Sequence, residues 1–224
     1  MNDDPHRGQP VRIAGDPDNA GTVMVFAHGR FAGADDGIAI ARAAAVPGTA
    51  IIAPQAAGNS WWPDSFLAPH GVNEPYITSA VGVVTAIVDD LAARGVAAER
   101  VVLGGFSQGA CLALEAAARM ARPFRAVVAL SGGLVGTGDA DGAPDPALYG
   151  RADKTFRYDG RLDGVPILIG CHERDPHIPL ARVERSAQVL EAMGAVVETI
   201  VIPGEGHGIV DTEIAWLRGQ LEKA

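Results

Sequence analysis

Short, continuous apolar runs alternate along the chain with segments whose apolar residues recur at helical spacing. The runs are bounded by glycine or proline, which is typical of strands buried on both faces of a parallel sheet. The predicted strands cover residues 22–27, 49–53, 101–106, 126–130, 165–170 and 196–202. Residues 1–20 are predicted to be an irregular lead-in, or to hold a short edge strand around residues 11–14.

The segments with helical spacing lie between these strands. The first predicted helix has a start capped by Asp35 and Asp36 and ends at about Ala45. The other predicted helices cover about 74–94, 110–120, 180–193 and 209–221. Residues 55–75 and 134–164 have no period and are rich in glycine or proline, so they are predicted to be loop excursions. The alternation predicts an α/β fold with a mostly parallel central sheet and helices on both faces, in one domain over residues 1–224.

The composition narrows the classes of partner. The 224 residues are 48% hydrophobic and carry a net charge of −9, with no strongly basic block, which argues against nucleic acid. No apolar run reaches about 18 residues, so membrane insertion is not expected. The start of the chain is polar and acidic rather than signal-like, and both cysteines, Cys111 and Cys171, are expected to be buried thiols. We therefore expect a cytoplasmic protein; the sequence leaves its oligomeric state undetermined.

The segment from Gly105 to Gly109 has the pattern G-x-S-x-G, with Ser107 at its centre. A serine on a sharp strand-to-helix turn crowds the backbone on both sides, and glycines remove the side chains that would clash. An apolar strand precedes this pattern and an alanine-rich helical segment follows it. We interpret Ser107 as a catalytic nucleophile; the alternative is an ordinary tight turn.

A nucleophilic serine needs a base, and the base needs an acid that orients it. Asp175 and His207 follow Ser107 in the order Ser, Asp, His, and each comes after the end of a predicted strand. Glu173 is the alternative acid, and Asp175 could instead be a solvated loop charge or a helix cap. Histidines near Glu173 suggest a metal only weakly, because no second cluster completes a site, so neither a metal nor a cofactor is expected.

An oxyanion hole needs two backbone donors. The N–H of Gln108, directly after the nucleophile, is the first candidate, and the N–H of Arg30, in the loop after an early strand, is the second. His28 precedes the nucleophile, which breaks the chain order expected for the base, so it is interpreted as support for that loop.

Aromatic residues of the first excursion are candidates for the wall of a substrate pocket. Trp61, Trp62 and Phe66 lie in an aperiodic segment, and Leu134 follows a glycine pair after a strand. The alternative for all four is packing beneath the excursions.

Together, several motifs resemble the phospholipase/carboxylesterase family of α/β-hydrolases, which includes the acyl-protein thioesterases. The resemblance runs from about residue 21 to the end of the chain. It rests on residues 28–30, 53–55, 60–63, 65–66, 104–110, 131–134, 175–179 and 203–207. The tryptophan segment resembles the bacterial carboxylesterase branch.

The resemblance implies a serine hydrolase of short- or medium-chain acyl esters or thioesters, with Ser107, Asp175 and His207 as its triad. We expect a carboxylesterase of short- to medium-chain acyl esters that needs no cofactor. An acyl thioesterase or lysophospholipase is the alternative enzyme, and a small-molecule binding protein on a hydrolase scaffold is the alternative of another class. Phe31 departs from the family, which usually has glycine after His-Gly-Arg. It is expected either to narrow the acyl pocket, as a further substrate-binding residue, or to change the loop.

Overall fold

A computed structural model describes residues 4–223, so the first three residues of the predicted lead-in and Ala224 lie outside it. Strands and helices alternate along the chain. The strands are β1 (Val11–Ala14), β2 (Thr22–Ala27), β3 (Thr49–Pro54), β4 (Val101–Phe106), β5 (Ala126–Leu130), β6 (Gly138–Asp139), β7 (Lys154–Thr155), β8 (Pro166–Arg174) and β9 (Val196–Glu205). The α-helices are α1 (Ala34–Ala44), α2 (His70–Asn73), α3 (Tyr76–Ala93), α4 (Gln108–Met120), α5 (Leu180–Ala192) and α6 (Asp211–Glu222).

Seven of the strands form the central sheet, in the order β1-β3-β2-β4-β5-β8-β9. All neighbouring pairs are parallel except β1 and β3, which pair antiparallel at one edge. The prediction of a mostly parallel sheet is confirmed, and the lead-in contains the edge strand. Because β4 lies at the centre, the residue that follows it stands at the middle of the sheet's carboxyl edge, where open parallel sheets place their sites.

Helices cover both faces of this sheet, as the apolar strands require. Along β2, Val23 and Val25 pack on the side of α3, α4 and α5, whereas Met24 and Phe26 pack on the side of α1 and α6. The alternation follows from the two-residue period of a strand. Each face therefore has its own hydrophobic core.

Helix α3 is the only helix among residues 4–223 whose length and composition would allow it to cross a membrane. Its residues Ile77, Ala80, Val84, Val88 and Leu91 belong to the core of the sheet. The apolar face of α3 therefore packs against the rest of the protein in this fold.

Several element boundaries differ from those predicted. Strands β8 and β9 run past Gly170 and Ile202, to Arg174 and Glu205, so the loops that follow them are shorter than expected. Helix α1 begins at Ala34, which places Asp36 in its first turn, where its carboxylate accepts a hydrogen bond from the N–H of Gly33 (2.8 Å).

The two excursions contain short regular elements that leave no period in the sequence. Residues 55–75 include α2, and residues 134–164 include the β6–β7 pair. The second excursion is attached to α4 by the fully buried Glu115. Its carboxylate accepts hydrogen bonds from the N–H groups of Val135 (3.1 Å) and Gly136 (3.0 Å) and from the hydroxyl of Tyr158 (2.8 Å). The first and last parts of the excursion are therefore both hydrogen-bonded to the side chain of Glu115.

Candidate active site

Ser107 occupies the sharp turn between the end of β4 and the start of α4. Its backbone has φ 55° and ψ −118°, a conformation that residues with side chains rarely adopt. A Cβ on Gly105 would overlap the carbonyl of Gly109, and a Cβ on Gly109 would overlap the carbonyl of Ala27. The two glycines of the pattern are therefore steric requirements of the turn that holds Ser107 at the wall of a cavity.

A chain of two hydrogen bonds connects Ser107, His207 and Asp175. His207 Nε2 lies 2.8 Å from Ser107 Oγ, and His207 Nδ1 lies 2.7 Å from Asp175 Oδ2. Asp175 directly follows β8, and His207 follows β9 by two residues. The structure thus brings together the three residues that the sequence nominates as nucleophile, base and acid.

The surroundings of Asp175 favour its ionised form. The residue is 1% exposed, and burial alone would raise the pKa of its carboxyl. The hydrogen bonds from His207 and from the N–H groups of His177 (2.8 Å) and Ile178 (3.0 Å) together outweigh this effect, so the pKa of Asp175 lies below its ordinary value. An ionised Asp175 can only accept a hydrogen bond, so the proton of neutral His207 lies on Nδ1. Nε2 is then free to accept a hydrogen bond from the serine hydroxyl.

Glu173, the alternative acid, is engaged elsewhere. Its exposed carboxylate pairs with Arg174 (3.1 Å) and accepts from the N–H of Gly204 (3.3 Å). Glu173 makes no hydrogen bond with His207 among the contacts of residues 4–223.

Two hydrogen bonds hold the loop that carries His207. Ser131 Oγ donates to the carbonyl of Gly208 (3.2 Å), and Glu213 Oε2 accepts from the N–H of Val210 (2.8 Å). Glu213 is fully buried, and its Oε1 has no partner within the described part of the chain. Burial therefore raises the pKa of Glu213 to about 6. Sequence reasoning missed both supports, since neither belongs to the motif of the base.

Two backbone N–H groups beside Ser107 make no hydrogen bond to other residues in the 4–223 range. They belong to Gln108, the first residue of α4, and to Arg30, and both residues line the cavity. The first N–H groups of a helix have no partner inside it and carry partial positive charge. These two donors are the pair that the sequence analysis proposes for an oxyanion.

The side chains of the same two residues fasten the tryptophan segment to the site. Gln108 accepts from the N–H of Trp61 (2.8 Å) and donates to the carbonyl of Trp62 (2.8 Å). The guanidinium of Arg30 donates to the carbonyls of Trp62 (3.4 Å) and Asp64. Each residue thus has a backbone N–H without a partner among residues 4–223 and uses its side chain to hold the loop beside the cavity.

His28 lies beneath this loop and is fully buried. Its ring accepts from the N–H of Ala56 (3.1 Å) through Nε2 and donates to the carbonyl of Gly29 (2.7 Å) through Nδ1. Burial lowers the pKa of His28, which keeps the ring neutral in this arrangement. These contacts are those of a residue that supports the loop.

Phe31 stands where the resemblance described above implies glycine, and its backbone conformation is one that glycine adopts more readily. Its φ is 66°, in the left-handed region that favours glycine, while its N–H donates to the carbonyl of Asn59 (2.7 Å). The ring is 81% exposed and lines the cavity. A bulky side chain is therefore held at the entrance in an unfavourable backbone conformation.

The cavity beside Ser107 has a volume of about 560 Å³. Much of its wall is apolar or aromatic, with Trp62, Phe66, Leu67 and Cys111 among the buried lining residues. Cys111 is a free, buried cysteine, and burial raises the pKa of its thiol to about 12, so it contributes an uncharged surface. Cys171 is likewise free and buried, as predicted.

Two of the residues predicted to bind substrate do not line the cavity and instead pack beneath the excursions, which was their alternative. Trp61 is fully buried behind the wall, where its Nε1 donates to the carbonyl of His28 (2.8 Å). Leu134 is also fully buried, and its N–H donates to Ser186 Oγ (2.9 Å). Trp62, Phe66 and Phe31 are in the wall.

Sequence reasoning also missed residues that do line the cavity. Tyr149 and Arg151 come from the second excursion, and His177 lies beside the acid and packs edge-on against the ring of His207, with 4.9 Å between the centroids. The excursion has no period or motif, so its sequence carries no signal for the first two. Within residues 4–223 no group of three or more His, Cys, Asp or Glu side chains is arranged to hold a metal ion.

Two family profiles and one curated relative match parts of this chain. The sequence profile of the phospholipase/carboxylesterase family matches residues 11–146. The profile of the prolyl oligopeptidase family matches residues 81–222 and overlaps the first match around Ser107. Acyl-protein thioesterase 1 of Gibberella zeae is 31% identical over 131 residues, which cover 57% of this chain and 51% of that protein. The matched stretch therefore spans about half the length of this curated relative.

Solved structures extend the similarity over almost the whole chain. A phospholipase/carboxylesterase from Dyadobacter fermentans is 35% identical, with a TM-score of 0.84 over 96% of this chain and 97% of the other. A carboxylesterase of Bacillus cereus, at 14% identity and a TM-score of 0.74 over 96% and 94% of the two chains, shares the fold. The chain has the α/β-hydrolase fold and belongs to the phospholipase/carboxylesterase family of serine hydrolases.

Proposed function

We propose that the protein is a serine carboxylesterase that hydrolyses short- to medium-chain acyl esters. The observation that carries this proposal is the hydrogen-bonded series of Ser107, His207 and Asp175, with distances of 2.8 and 2.7 Å, at the wall of a largely apolar cavity. A serine hydroxyl within reach of an oriented imidazole is the arrangement that acyl transfer requires.

In the proposed reaction, Ser107 Oγ attacks the acyl carbonyl carbon while His207 Nε2 takes the hydroxyl proton. Asp175 keeps the ring oriented and stabilises the imidazolium. The N–H groups of Gln108 and Arg30 stabilise the negative oxygen of the tetrahedral intermediate. His207 then donates its proton to the leaving alcohol, and an acyl-enzyme remains. Water, deprotonated by His207, attacks this ester and releases the carboxylic acid and Ser107.

The size and chemistry of the cavity support the substrate class. A volume of about 560 Å³ lies within the range of small-molecule sites, and its apolar wall suits an aliphatic acyl chain. The relative that is 35% identical over nearly its whole length is a phospholipase/carboxylesterase, whereas the thioesterase matches over about half of its length. We therefore place simple esters ahead of thioesters and lysophospholipids.

The test compares wild type with Ser107→Ala on 4-nitrophenyl esters of two to twelve acyl carbons. We expect wild-type turnover to be greatest for short or medium chains, and the variant to lose about 10⁶ in kcat. A fluorophosphonate probe should label wild type at Ser107 and leave the variant unlabelled. If the folded wild type resists the probe and cleaves no ester, the protein is a binding protein on a hydrolase scaffold and the proposal is wrong.

The alternatives within enzymes are separated by a second panel. Acyl-CoA and lysophosphatidylcholine of matched chain length test the thioesterase and lysophospholipase functions, and a proline-containing peptide tests the function named by the second family profile. A larger kcat/KM for any of these than for every simple ester would replace the carboxylesterase assignment.

We further propose that the chain acts as one domain in the cytoplasm. The central sheet takes strands from Val11 to Glu205, so its two cores draw on nearly the whole described chain. Both cysteines are free, which suits a reducing compartment. A single cooperative unfolding transition followed by two probes tests the first statement, and fractionation of the native cells tests the second.

A further inference from the structure

The charges in the cavity wall have one sign. Among its lining residues, Arg30 and Arg151 are the charged side chains, and no aspartate or glutamate of the described chain belongs to the wall. The protein as a whole carries a net charge of −9. A wall with only positive charge in an acidic protein favours the approach of a negative group.

Arg30 is already committed to the protein. Its guanidinium donates to the carbonyls of Trp62 and Asp64, which fixes it against the loop that it supports. These contacts explain the position of the Arg30 side chain without a bound ligand.

Arg151 has no such partner. Its side chain is exposed, and its guanidinium makes no hydrogen bond or ion pair with any residue between 4 and 223. The two nearest carboxylates in the sequence are engaged elsewhere. Asp145 accepts from the N–H of Ala147 (2.8 Å), and Asp153 pairs with the buried Arg182 (2.9 Å).

The backbone of Arg151 is nevertheless well anchored. Its carbonyl accepts from the N–H of Asp145 (2.9 Å), and its N–H donates to the carbonyl of Leu148 (3.1 Å), which closes a tight loop. At the tip of this loop, the hydroxyl of Tyr149 donates to the backbone carbonyl of Asp175. The loop is thus attached to the segment that holds the proposed acid, and Arg151 is presented at the cavity from a fixed position.

We propose that Arg151 is a specificity-determining residue that binds a carboxylate on the substrate, so that the enzyme prefers esters bearing a carboxylate away from the scissile bond. The inference rests on the proposed esterase function and names its substrate class. A guanidinium binds a carboxylate through two parallel N–H···O bonds, and its single charge matches that of a monoanion. The carboxylate could belong to the acyl chain or to the alcohol, and both cases share this chemistry.

The experiment uses two matched pairs of esters. On the acyl side, 4-nitrophenyl hydrogen adipate is compared with 4-nitrophenyl hexanoate; on the alcohol side, 3-acetoxybenzoate is compared with its methyl ester. For each pair the ratio of kcat/KM, charged over neutral, is measured in wild type, Arg151→Gln and Arg157→Gln. Arg157 is an exposed arginine of the same excursion outside the cavity wall, so its variant has the same net charge.

We expect the ratio for one pair to fall about tenfold in Arg151→Gln and to stay at the wild-type value in Arg157→Gln. The pair that responds tells which side of the ester carries the charge. If wild type hydrolyses the neutral esters and the two variants have equal ratios in both pairs, Arg151 does not select the substrate. If wild type hydrolyses no ester at all, the esterase function fails and this inference fails with it.

Discussion

The side-chain amide of Gln108 donates to the backbone carbonyl of Trp62 (2.8 Å) and accepts from the N–H of Trp61 (2.8 Å). Gln108 therefore joins the turn of the nucleophile to the loop that forms one wall of the cavity. Its backbone N–H and its side chain have separate tasks, and a substitution can separate them.

Gln108→Ala keeps the backbone donor and removes the attachment of the loop. It leaves the buried N–H of Trp61 without a partner, while the carbonyl of Trp62 keeps its hydrogen bonds from Ser60 (2.7 Å) and Arg30 (3.4 Å). We therefore expect a loss of about 1–3 kcal/mol in the free energy of unfolding. KM for apolar esters should rise because the wall that contains Trp62 loosens. Urea denaturation and ester kinetics measure the two effects, and Gln55→Ala, which alters a glutamine of the same loop outside the cavity wall, is the control.

Asp175→Asn should lower kcat by about 10⁴, because an amide can present its N–H₂ to Nδ1 and stabilise the wrong tautomer of His207. The matched control is Glu173→Gln two residues earlier, whose carboxylate contacts Arg174 and Gly204 instead. Kinetics with a short-chain nitrophenyl ester compare the two. Equal losses in both variants would contradict the assignment of the acid.

Phe31→Gly and Phe31→Ala separate the backbone from the ring. Both remove the aromatic wall at the entrance, so both should raise KM for longer esters. The glycine variant adopts φ 66° without strain, whereas alanine does not, so we expect Phe31→Gly to be the more stable of the two by up to about 1 kcal/mol. Thermal unfolding decides the order, and an alanine variant at least as stable as glycine would show that the backbone conformation carries no cost.

Glu213→Gln should remove part of the pH dependence of stability. The pKa of Glu213 is about 6 in the fold against an ordinary value of 4.5, so the fold favours the neutral form. Its destabilising effect is absent below pH 4.5, grows between pH 4.5 and 6, and reaches about 2 kcal/mol above pH 6.

Denaturation of the wild type and this variant is measured from pH 4 to 7. We expect their difference in unfolding free energy to shift in favour of the variant as the pH rises through this window. Asp175, whose pKa is lowered, contributes stability that is lost only below its ordinary pKa of 3.8, outside the window. A difference that does not change with pH would show that the fold leaves the pKa of Glu213 at its ordinary value.

The frame of the site could be predicted because local chemistry determines it. The apolar runs specify a parallel sheet, and Gly105 and Gly109 are needed for the turn at Ser107. Since parallel strands end at one edge of the sheet, residues that follow β4, β8 and β9 are brought near one another. Asp175 and His207 could thus be nominated without knowledge of any distance.

The walls of the cavity could not be predicted in the same way. An aperiodic loop gives no indication of which side chain faces inward, so Trp61 and Trp62 were indistinguishable, although Trp61 packs on His28 and Trp62 lines the cavity. The path of the second excursion depends on Glu115, which lies 20 residues before Val135 and 43 residues before Tyr158 in the sequence. Tyr149 and Arg151 reach the site through that path.

The attachment of the second excursion to Glu115 has a consequence for how this enzyme can diversify. Val135 and Tyr158 are both hydrogen-bonded to Glu115 of α4, so the segment between them is held at its two ends by one residue of the central fold. This segment also contacts the rest of the fold through the bond from Tyr149 to Asp175 and the ion pair of Asp153 with Arg182 (2.9 Å), whereas strands β5 and β8 pair with each other outside it. Changes within this one segment therefore alter the cavity wall at Tyr149 and Arg151 without touching Gly105 and Gly109, which the turn at Ser107 requires.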